Sequence, residues 1–271
     1  MTDPGPIAGV RRLVRPPSPV LTMLESRAMF EMGAFLAASP LLRLLGRGDR
    51  HPVLVLPGFT ASDQSTGPLR WFLRSQGYWT HGWRLGANLG PTARVVKGLE
   101  DRLEELHARH GRPVSVIGWS LGGIYARALA RSHPSLVREV ITLGSPFRME
   151  TGDRSAVQGL WDSVSIRFAT EVEELQVPEH AKPALTVPAT AIYSRSDGIV
   201  RWYTCIEDEG PLRESIEVRG SHSGLGVNPS VLLAIADRLA QPEGTWKPFR
   251  APFGMGHLYP RPATYQPRSA A

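Results

Sequence analysis

The feature that most constrains the fold is a glycine-flanked serine between an apolar run and a helix-like segment. Residues 114–117 form a short run that favours a β-strand, and residues 121–132 have the pattern of a helix. The turn between them, Gly118-Trp119-Ser120-Leu121-Gly122, has the spacing G-x-S-x-G. So tight a turn leaves no room for side chains two residues before or after the serine. The sequence therefore predicts a strained turn that exposes Ser120 at the end of the strand.

The same alternation of strand and helix runs along most of the chain. Strands joined by helical crossovers pair in parallel, and the helices cover both faces of the sheet. We therefore expect an α/β fold with a mostly parallel central sheet flanked by helices. Strands are predicted at residues 53–56, 78–85, 114–117, 139–143, 189–193 and 215–218, and helices at 68–76, 92–110, 121–132 and 229–240.

The chain divides into one main domain with an addition at each end. Residues 1–49 are predicted to be an N-terminal arm and helical segment, and residues 50–242 the α/β domain. Residues 243–271 are rich in proline and glycine, which indicates an extended C-terminal tail. The stretch 147–183 lacks strand character. We expect it to be a short cap-like insertion over the carboxyl edge of the sheet, where ligands bind in open α/β folds.

Composition narrows the functional classes. Hydrophobic residues make up 42% and charged residues 21% of the 271 residues, which is ordinary for a globular domain. The single cysteine, Cys205, excludes an intrachain disulfide and a cysteine-based zinc cluster. The net charge is +6, but the arginines are scattered among acidic residues, so we expect no nucleic-acid partner. We predict no metal and no cofactor, and the oligomeric state stays open.

The N-terminal region has no recognisable signal peptide, because Pro16, Pro17 and Pro19 stand where its apolar core would be. Residues 20–45 are fairly apolar, but Glu31 interrupts the best run, 28–38, which is far shorter than the roughly 20 residues that span a bilayer. We interpret this region as an amphipathic helix packed on the domain. Peripheral membrane contact through the helix stays open, and the expected location is cytoplasmic or membrane-associated.

A serine hydroxyl is a weak nucleophile unless a neighbouring base takes its proton, so the chemistry requires a histidine. Of the eight histidines, His222 alone lies in a glycine-flanked loop, 220–224, between the last predicted strand and the last helix. Loops at strand ends display catalytic groups, and the chain order serine, acid, histidine requires a late histidine. We predict that Ser120 is the nucleophile and His222 the base.

The acid that orients the histidine must lie between these two residues and must also follow a strand. Asp197 meets both conditions, and its carboxylate would accept the imidazole N–H and stabilise the imidazolium. The alternatives Glu207, Asp208 and Glu209 lie further along the chain, and such an acidic run is typical of a solvated surface. We predict Asp197 as the acid.

The oxygen that becomes negative during attack needs preorganised donors. We expect the backbone N–H groups of Leu121, directly after the nucleophile, and of Phe59, in the loop after the first strand, to form this oxyanion hole. Trp119, Trp161 and Phe168 are candidate substrate-binding residues. The apolar residues of the insertion either cover the Ser120 site as a cap or complete the core under the sheet edge.

Together, the segments around Phe59, Ser120, Asp197 and His222 resemble those of α/β-hydrolase-fold serine esterases and lipases, over roughly residues 50–240. The resemblance is greatest to small bacterial lipases with a minimal α/β-hydrolase fold, through the acid segment IYSRSDGIV (192–200) and the histidine segment VRGSHSGL (218–225). It implies a Ser-His-Asp triad and an acyl-enzyme intermediate. The implied activity is cofactor-free hydrolysis of a carboxylic ester or lipid (EC 3.1.1.-).

Two alternatives stay open. An acyltransferase would form the same acyl-enzyme and pass the acyl group to an alcohol, which differs from hydrolysis only in the exclusion of water. A non-catalytic binding protein would keep the fold without turnover, although the complete serine, aspartate and histidine set argues against it. The sequence leaves the natural substrate and its acyl-chain length open.

Overall fold

The computed structural model describes residues 14–43, 45, 48–150, 152–165 and 177–264. From residue 52 onward, strands and helices alternate as the sequence predicts, and the expected mostly parallel α/β architecture is confirmed. The described elements in chain order are α1 (Pro19–Met23), a 3-10 turn (Leu24–Arg27), α2 (Ala28–Leu42), β1 (Pro52–Leu56), α3 (Gly67–Ser75), β2 (Trp79–Gly82), α4 (Ala93–His110), β3 (Val114–Trp119), α5 (Leu121–Ser132), β4 (Val137–Leu143), α6 (Gln158–Ser165), a 3-10 turn (Glu179–Ala181), β5 (Ala189–Ser194), a 3-10 turn (Trp202–Cys205), β6 (Arg213–Val218), α7 (Pro229–Leu239) and a 3-10 turn (Gly256–Leu258).

The strands form one sheet in the order β2-β1-β3-β4-β5-β6, and every neighbouring pair is parallel. Side chains alternate between two cores: Val53 and Val55 pack with α3 and α7, whereas Leu54 and Leu56 pack with α4 and α5. Burial on both faces explains why the strands are continuous apolar runs. All strands point the same way, so the loops that follow β1, β3, β5 and β6 meet at one edge of the sheet.

Strand β2 ends earlier than the sequence predicts, at Gly82 instead of residue 85. The Asp63 carboxylate accepts hydrogen bonds from the backbone N–H groups of Trp83 (3.0 Å) and Arg84 (3.1 Å). Arg84 also has a φ of 64°, which is incompatible with an extended strand. A carboxylate from a neighbouring loop therefore ends the strand, and strand propensity alone does not contain that contact.

The N-terminal segment, defined here as residues 14–43, packs on the face of the sheet that α3 and α7 cover. Phe35 and Leu42 of α2 are buried in that core. The opposite side of α2 is apolar too, with Met29 and Phe30 largely exposed to solvent, so the expectation of an amphipathic helix is wrong. Within the described ranges, no helix is both long and apolar enough to cross a membrane.

The insertion after β4 is fastened to the helix that begins at the predicted nucleophile. The Glu179 carboxylate, near the end of the insertion, accepts hydrogen bonds from the guanidinium groups of Arg127 and Arg131 of α5. Arg127 also donates to Glu207, and all three side chains of this Arg127–Glu179–Glu207 cluster are buried. Removing one partner of such a buried cluster leaves an uncompensated charge, so the cluster fixes the insertion to α5. Residues 166–176 of the insertion lie outside the described residues.

The C-terminal residues 243–264 lie against the domain and have no strand or α-helix, but they include turns and a 3-10 helix at Gly256–Leu258. The Phe249 N–H donates to the Glu214 carboxylate (2.7 Å), and the Ala263 N–H donates to the Tyr193 hydroxyl (2.8 Å). Phe249 and Tyr259 pack edge to face and add to the α3–α7 core. The tail therefore runs along the outside of the domain at the β5–β6 end.

Candidate active site

Ser120 occupies the strained turn between β3 and α5. Its φ of 53° and ψ of −121° lie in a region that residues other than glycine rarely adopt, at a strain of about 1–3 kcal/mol. A Cβ on Gly118 would come within 2.3 Å of the Gly122 carbonyl oxygen, and one on Gly122 within 2.5 Å of the Leu56 carbonyl oxygen. Both glycines of the motif are therefore required by backbone contacts, for the reason inferred from the sequence.

His222 and Asp197 are paired at the same edge of the sheet. The His222 Nδ1 lies 2.6 Å from the Asp197 Oδ2, and both side chains are buried. The other carboxylate oxygen of Asp197 accepts hydrogen bonds from the backbone N–H groups of Ile199 and Val200, each at 2.8 Å. The loop after β5 thus holds the carboxylate by its own backbone and points it at the loop after β6.

The environment of His222 favours its protonated form. Burial lowers the pKa of this histidine, but the charge and hydrogen bond of Asp197, together with the charge of Glu25, outweigh burial and raise it above 6.5. An imidazole that is readily protonated next to a buried carboxylate is suited to accept a proton from a nucleophile. The pairing also leaves Nε2 as the ring atom available for proton transfer.

Ser120 lines two adjoining cavities at this edge. One, of about 260 Å³, is also lined by Trp119, His222 and Ser223. The other, of about 330 Å³, is also lined by Leu121 and by residues of the insertion. The hydrogen bonds found among the described residues do not include one between the Ser120 hydroxyl and the His222 ring. Catalytic hydrogen bonds are often long without substrate and tighten when it binds.

The two predicted oxyanion donors lie beside Ser120. Phe59 and Leu121 line the larger cavity with it, and neither backbone N–H donates to another residue in the part of the chain that the structure describes. Asn88, which the sequence analysis does not single out, holds the Phe59 loop. Its side-chain amide donates to the Pro57 carbonyl oxygen (2.9 Å), and its backbone carbonyl oxygen accepts a hydrogen bond from the Thr60 N–H (2.7 Å).

The three candidate substrate-binding residues have different positions. Trp161 lines the larger cavity and packs its ring against Phe59, with 5.0 Å between ring centroids. Trp119 lines the smaller cavity, and its indole N–H donates to the backbone carbonyl oxygen of His222 (3.1 Å), so it also supports the histidine loop. Phe168 lies outside the described residues.

Among the solved structures that this chain resembles are two lipases. Aspergillus fumigatus lipase B is similar with a TM-score of 0.56 and 18% identity, over 74% of this chain and 55% of that one. Paleococcus ferrophilus monoacylglycerol lipase is similar with a TM-score of 0.55 and 14% identity, over 72% of this chain and 96% of that one. The chain has the α/β-hydrolase fold.

A structure described for the metagenome-derived lipolytic enzymes LipS and LipT is similar with a TM-score of 0.52 and 21% identity, over 72% of this chain and 94% of that one. The match spans little more than half the length of the Aspergillus lipase. No protein-family model and no curated protein matches the sequence. At these identities the comparisons establish the α/β-hydrolase fold, and its chemistry here has to be argued from the site.

The N-terminal segment adds three charged groups to the site of this α/β-hydrolase fold that the sequence analysis did not assign to it. The Glu25 carboxylate accepts hydrogen bonds from backbone N–H groups of the loops that carry Asp197 and His222, the two candidate catalytic loops, and Glu31 accepts two from Ser221. Arg27 donates to the carbonyl oxygens of Ser196 and Gly220. The only sequence signal for this role is the presence of carboxylates within an otherwise apolar stretch.

The alternative acid Glu207 has a different role. The sequence predicts it on a solvated surface, but it is buried and accepts a hydrogen bond from Arg127 within the Arg127–Glu179–Glu207 cluster. Its backbone N–H is held by the Ser215 hydroxyl at 2.9 Å. Its carboxylate is therefore used in structure, and Asp197 is the carboxylate that contacts His222.

Proposed function

We propose that the protein is a serine hydrolase that cleaves carboxylic esters through an acyl-enzyme on Ser120. The observation that carries the proposal is the placement of a strained, cavity-facing serine beside a buried His222–Asp197 pair. A structural serine gains nothing from such backbone strain, whereas a nucleophile gains exposure and a fixed position. The lipolytic enzymes among the similar structures support the same class of reaction.

The mechanism that follows has two half-reactions. The Nε2 atom of His222 removes the hydroxyl proton of Ser120 as the oxygen attacks the ester carbonyl carbon, and Asp197 holds the imidazole in the required tautomer. The backbone N–H groups of Phe59 and Leu121 stabilise the oxyanion. The imidazolium then protonates the leaving alcohol, and water activated by His222 releases the carboxylic acid and restores the serine.

The apolar part of the lining of the larger cavity favours an apolar acyl group. Phe59, Ile124, Val157 and Trp161 line it next to the nucleophile. Burying an acyl chain against such walls stabilises binding by about 0.8 kcal/mol for each methylene group. Trp161→Ala is expected to lower kcat/KM more for p-nitrophenyl octanoate than for the acetate. Trp79→Ala, at the distant exposed edge of the sheet, is the control and is expected to leave the ratio unchanged.

The proposal is tested by labelling with a fluorophosphonate and by turnover of p-nitrophenyl esters. Wild type is expected to be labelled at Ser120, and Ser120→Ala is expected to lose labelling and about 10⁴- to 10⁶-fold in turnover. Ser115→Ala, which removes a buried serine of the same strand, serves as the matched control and should keep both. Labelling that persists in Ser120→Ala would contradict the assignment. Ester products formed with added alcohol would show acyl transfer in place of hydrolysis.

A further inference from the structure

The outer side of the N-terminal segment is an exposed apolar surface. The exposed residues of α2 are all uncharged and comprise methionine, phenylalanine, leucine, alanine, glycine and proline. Phe30 is 82% exposed and Met29 80%, and Leu36 and Leu41 are more than half exposed. Val20 and Met23 extend the surface across α1. A helix that is apolar on all sides is normally buried on all sides, and no part of the chain that the structure describes covers this surface, which favours a partner.

The charges around this surface select the partner. Both carboxylates of the segment, Glu25 and Glu31, are turned inward onto the catalytic loops. Arg15 and Arg43, near its two ends, are exposed. A second copy of the segment would add arginines to this surface without an outward carboxylate to pair with them, whereas anionic lipid headgroups would neutralise them.

The surface also lies beside the opening of the candidate active site. The Leu21 carbonyl oxygen lies so close to Gly198 that a Cβ there would approach it to 2.2 Å. In the 3-10 turn after α1, Glu25 accepts a hydrogen bond from the backbone N–H of Ser223, an exposed residue that lines the smaller cavity together with Ser120. A surface in contact with the N-terminal segment would therefore be close to the entrance through which a substrate reaches the serine.

We propose that the N-terminal segment lays its outer side on an anionic lipid surface. The apolar side chains of α1 and α2 insert to the level of the acyl chains, and the arginines at the ends contact the headgroups. Binding itself does not depend on catalysis. The further idea that the bound lipid supplies the ester substrate for Ser120 rests on the proposed function.

The test measures binding to vesicles in the Ser120→Ala background, where hydrolysis does not interfere. With no change in the N-terminal segment, the protein is expected to float with phosphatidylcholine vesicles that contain about 30% phosphatidylglycerol. Binding should be weaker at high salt, and binding to pure phosphatidylcholine should be poor. The combined variant Met29→Ser, Phe30→Ser and Leu36→Ser should lose at least about tenfold in affinity. Phe253→Ser, which removes an exposed aromatic from the tail, is the matched control.

Two results would overturn this proposal. One is the absence of binding to the anionic vesicles. The other is a dimer in sedimentation velocity that the triple serine variant dissociates, since the surface would then be an interface between copies. In an otherwise wild-type chain, the triple variant is expected to hydrolyse a soluble acetate ester at the normal rate, which shows that it is folded. Because binding is measured without turnover, its failure is distinguishable from failure of the proposed function.

A second, independent observation concerns Glu25, whose carboxylate joins the two catalytic loops. One oxygen accepts hydrogen bonds from the N–H groups of Gly198 (2.8 Å) and His222 (2.9 Å), and the other accepts from Ser223 (2.8 Å). Gly198 directly follows the acid Asp197, and His222 is the base. We infer that Glu25 is a positioning residue that sets the distance and orientation between acid and base.

The electrostatics of Glu25 agree with this geometry. Burial raises the pKa of its carboxyl group, but the hydrogen bonds from Ser223, His222 and Gly198 outweigh it, so the pKa is lowered and the group is charged at neutral pH. A fixed negative charge next to the backbone of His222 also stabilises the imidazolium that forms during catalysis. Position and charge are therefore both contributions of this residue.

Glu25→Gln keeps the size of the side chain but loses its charge and one acceptor oxygen. We expect kcat to fall about tenfold with KM nearly unchanged, and the pKa of His222, followed by NMR of its ring, to decrease. Glu31→Gln is the matched control, because Glu31 contacts only the histidine loop through Ser221; it should have a smaller effect.

An unchanged pKa of His222 and an unchanged kcat in folded Glu25→Gln would overturn the inference. A fall in kcat that only follows a lower melting temperature would also overturn it, because that result indicates a general structural role. The NMR titration requires no turnover, so it tests Glu25 even if the substrate class is wrong.

Discussion

The described residues include two chains of side chains, each made of a serine, a histidine and an aspartate, and one lies at each edge of the sheet. At the carboxyl edge, Asp197 contacts His222 beside Ser120. At the amino edge, the Asp49 carboxylate lies 2.5 Å from His51 Nδ1, and His51 Nε2 lies 2.9 Å from the Ser115 hydroxyl. Judged by hydrogen bonds alone, the second chain is the more complete of the two, because its serine and histidine are hydrogen-bonded to each other.

The two chains differ in the backbone conformation of the serine and in whether the serine faces a cavity. Ser115 lies within β3 and is fully buried with His51, whereas Ser120 lies at a positive φ and faces a cavity. The Ser115 hydroxyl also bonds to the carboxyl group of Glu139, at 3.0 Å. Three side chains in the right order therefore do not make an active site without a displayed nucleophile, free N–H donors and room for substrate.

The two histidines also differ in electrostatics. Burial lowers the pKa of His51, and the nearby charges of Arg138 and Arg112 lower it further, so that it falls to about 4 despite Asp49. His222 has no arginine among the groups that shift it, and its pKa is raised. His51 is therefore neutral in the pH range in which His222 gains and loses its proton.

The largest expected difference between the two chains is in turnover. Asp197→Asn should reduce kcat about 10⁴-fold without unfolding the protein, because the imidazole then takes the wrong tautomer. Asp49→Asn should leave kcat within about twofold and lower the melting temperature, because it removes a partner of His51 and Arg112. Both variants are assayed on one ester, with circular dichroism as the folding control. Loss of turnover in Asp49→Asn alone would place the catalysis at the amino edge.

A smaller expected effect is the pH dependence of turnover. His222 must be neutral to act as base, and its pKa is raised, so kcat/KM should fall as pH decreases through a midpoint above 6.5. His51, at about 4, would give a midpoint far lower. A profile measured between pH 5 and 9 on a short ester separates the two histidines. Full activity down to pH 5 would contradict a role for His222 as base.

The smallest expected effect concerns stability. Burial raises the pKa of Glu139 to about 7 despite its contacts with Ser115 and Arg138. The folded protein therefore holds a proton that the unfolded chain releases, and stability should fall as pH rises from about 4.5 to 7.

Glu139→Gln removes this loss, so we expect the variant to be more stable than wild type by about 1–3 kcal/mol at pH 8 and nearly equal at pH 5. Urea unfolding at both pH values provides the measurement. The lowered pKa of His51 destabilises both proteins as pH falls from 6.5 to about 4, so it cancels in the comparison. An equal difference between variant and wild type at both pH values would show that Glu139 does not titrate in this range.

Short-range patterns predicted much of the fold and the location of the candidate site. Helix α5 has the predicted bounds, 121–132, because a glycine-flanked turn fixes its start and His133-Pro134 its end. Asp197 and His222 are predicted because each follows a strand and the chain order leaves few choices, and the structure places their side chains in contact. These are properties of neighbouring residues, which a sequence displays directly.

The remaining features depend on contacts between distant residues. Glu25 and Asn88 hold the loops that carry His222 and Phe59 by hydrogen bonds to backbone groups. Nearly all residues have the same backbone groups, so the sequence of a loop does not show which side chain binds it. Glu207 was expected to be solvated, but Arg127, 80 residues away, makes its burial favourable. The two chains of serine, histidine and aspartate show the same limit, because only the fold decides which of them meets a cavity.

The grip of the N-terminal segment on the catalytic loops has a consequence for the timing of folding. Its hydrogen bonds to these loops join residues that are 169 to 198 positions apart in the chain. Contacts of such long range form late, because the chain between them must first become ordered. A ribosome releases Glu25 long before the His222 loop, which lies almost 200 residues further along the chain. The acid and the base would therefore obtain their final support after the sheet is built, and a partly folded chain would contain the serine without a competent hydrolase.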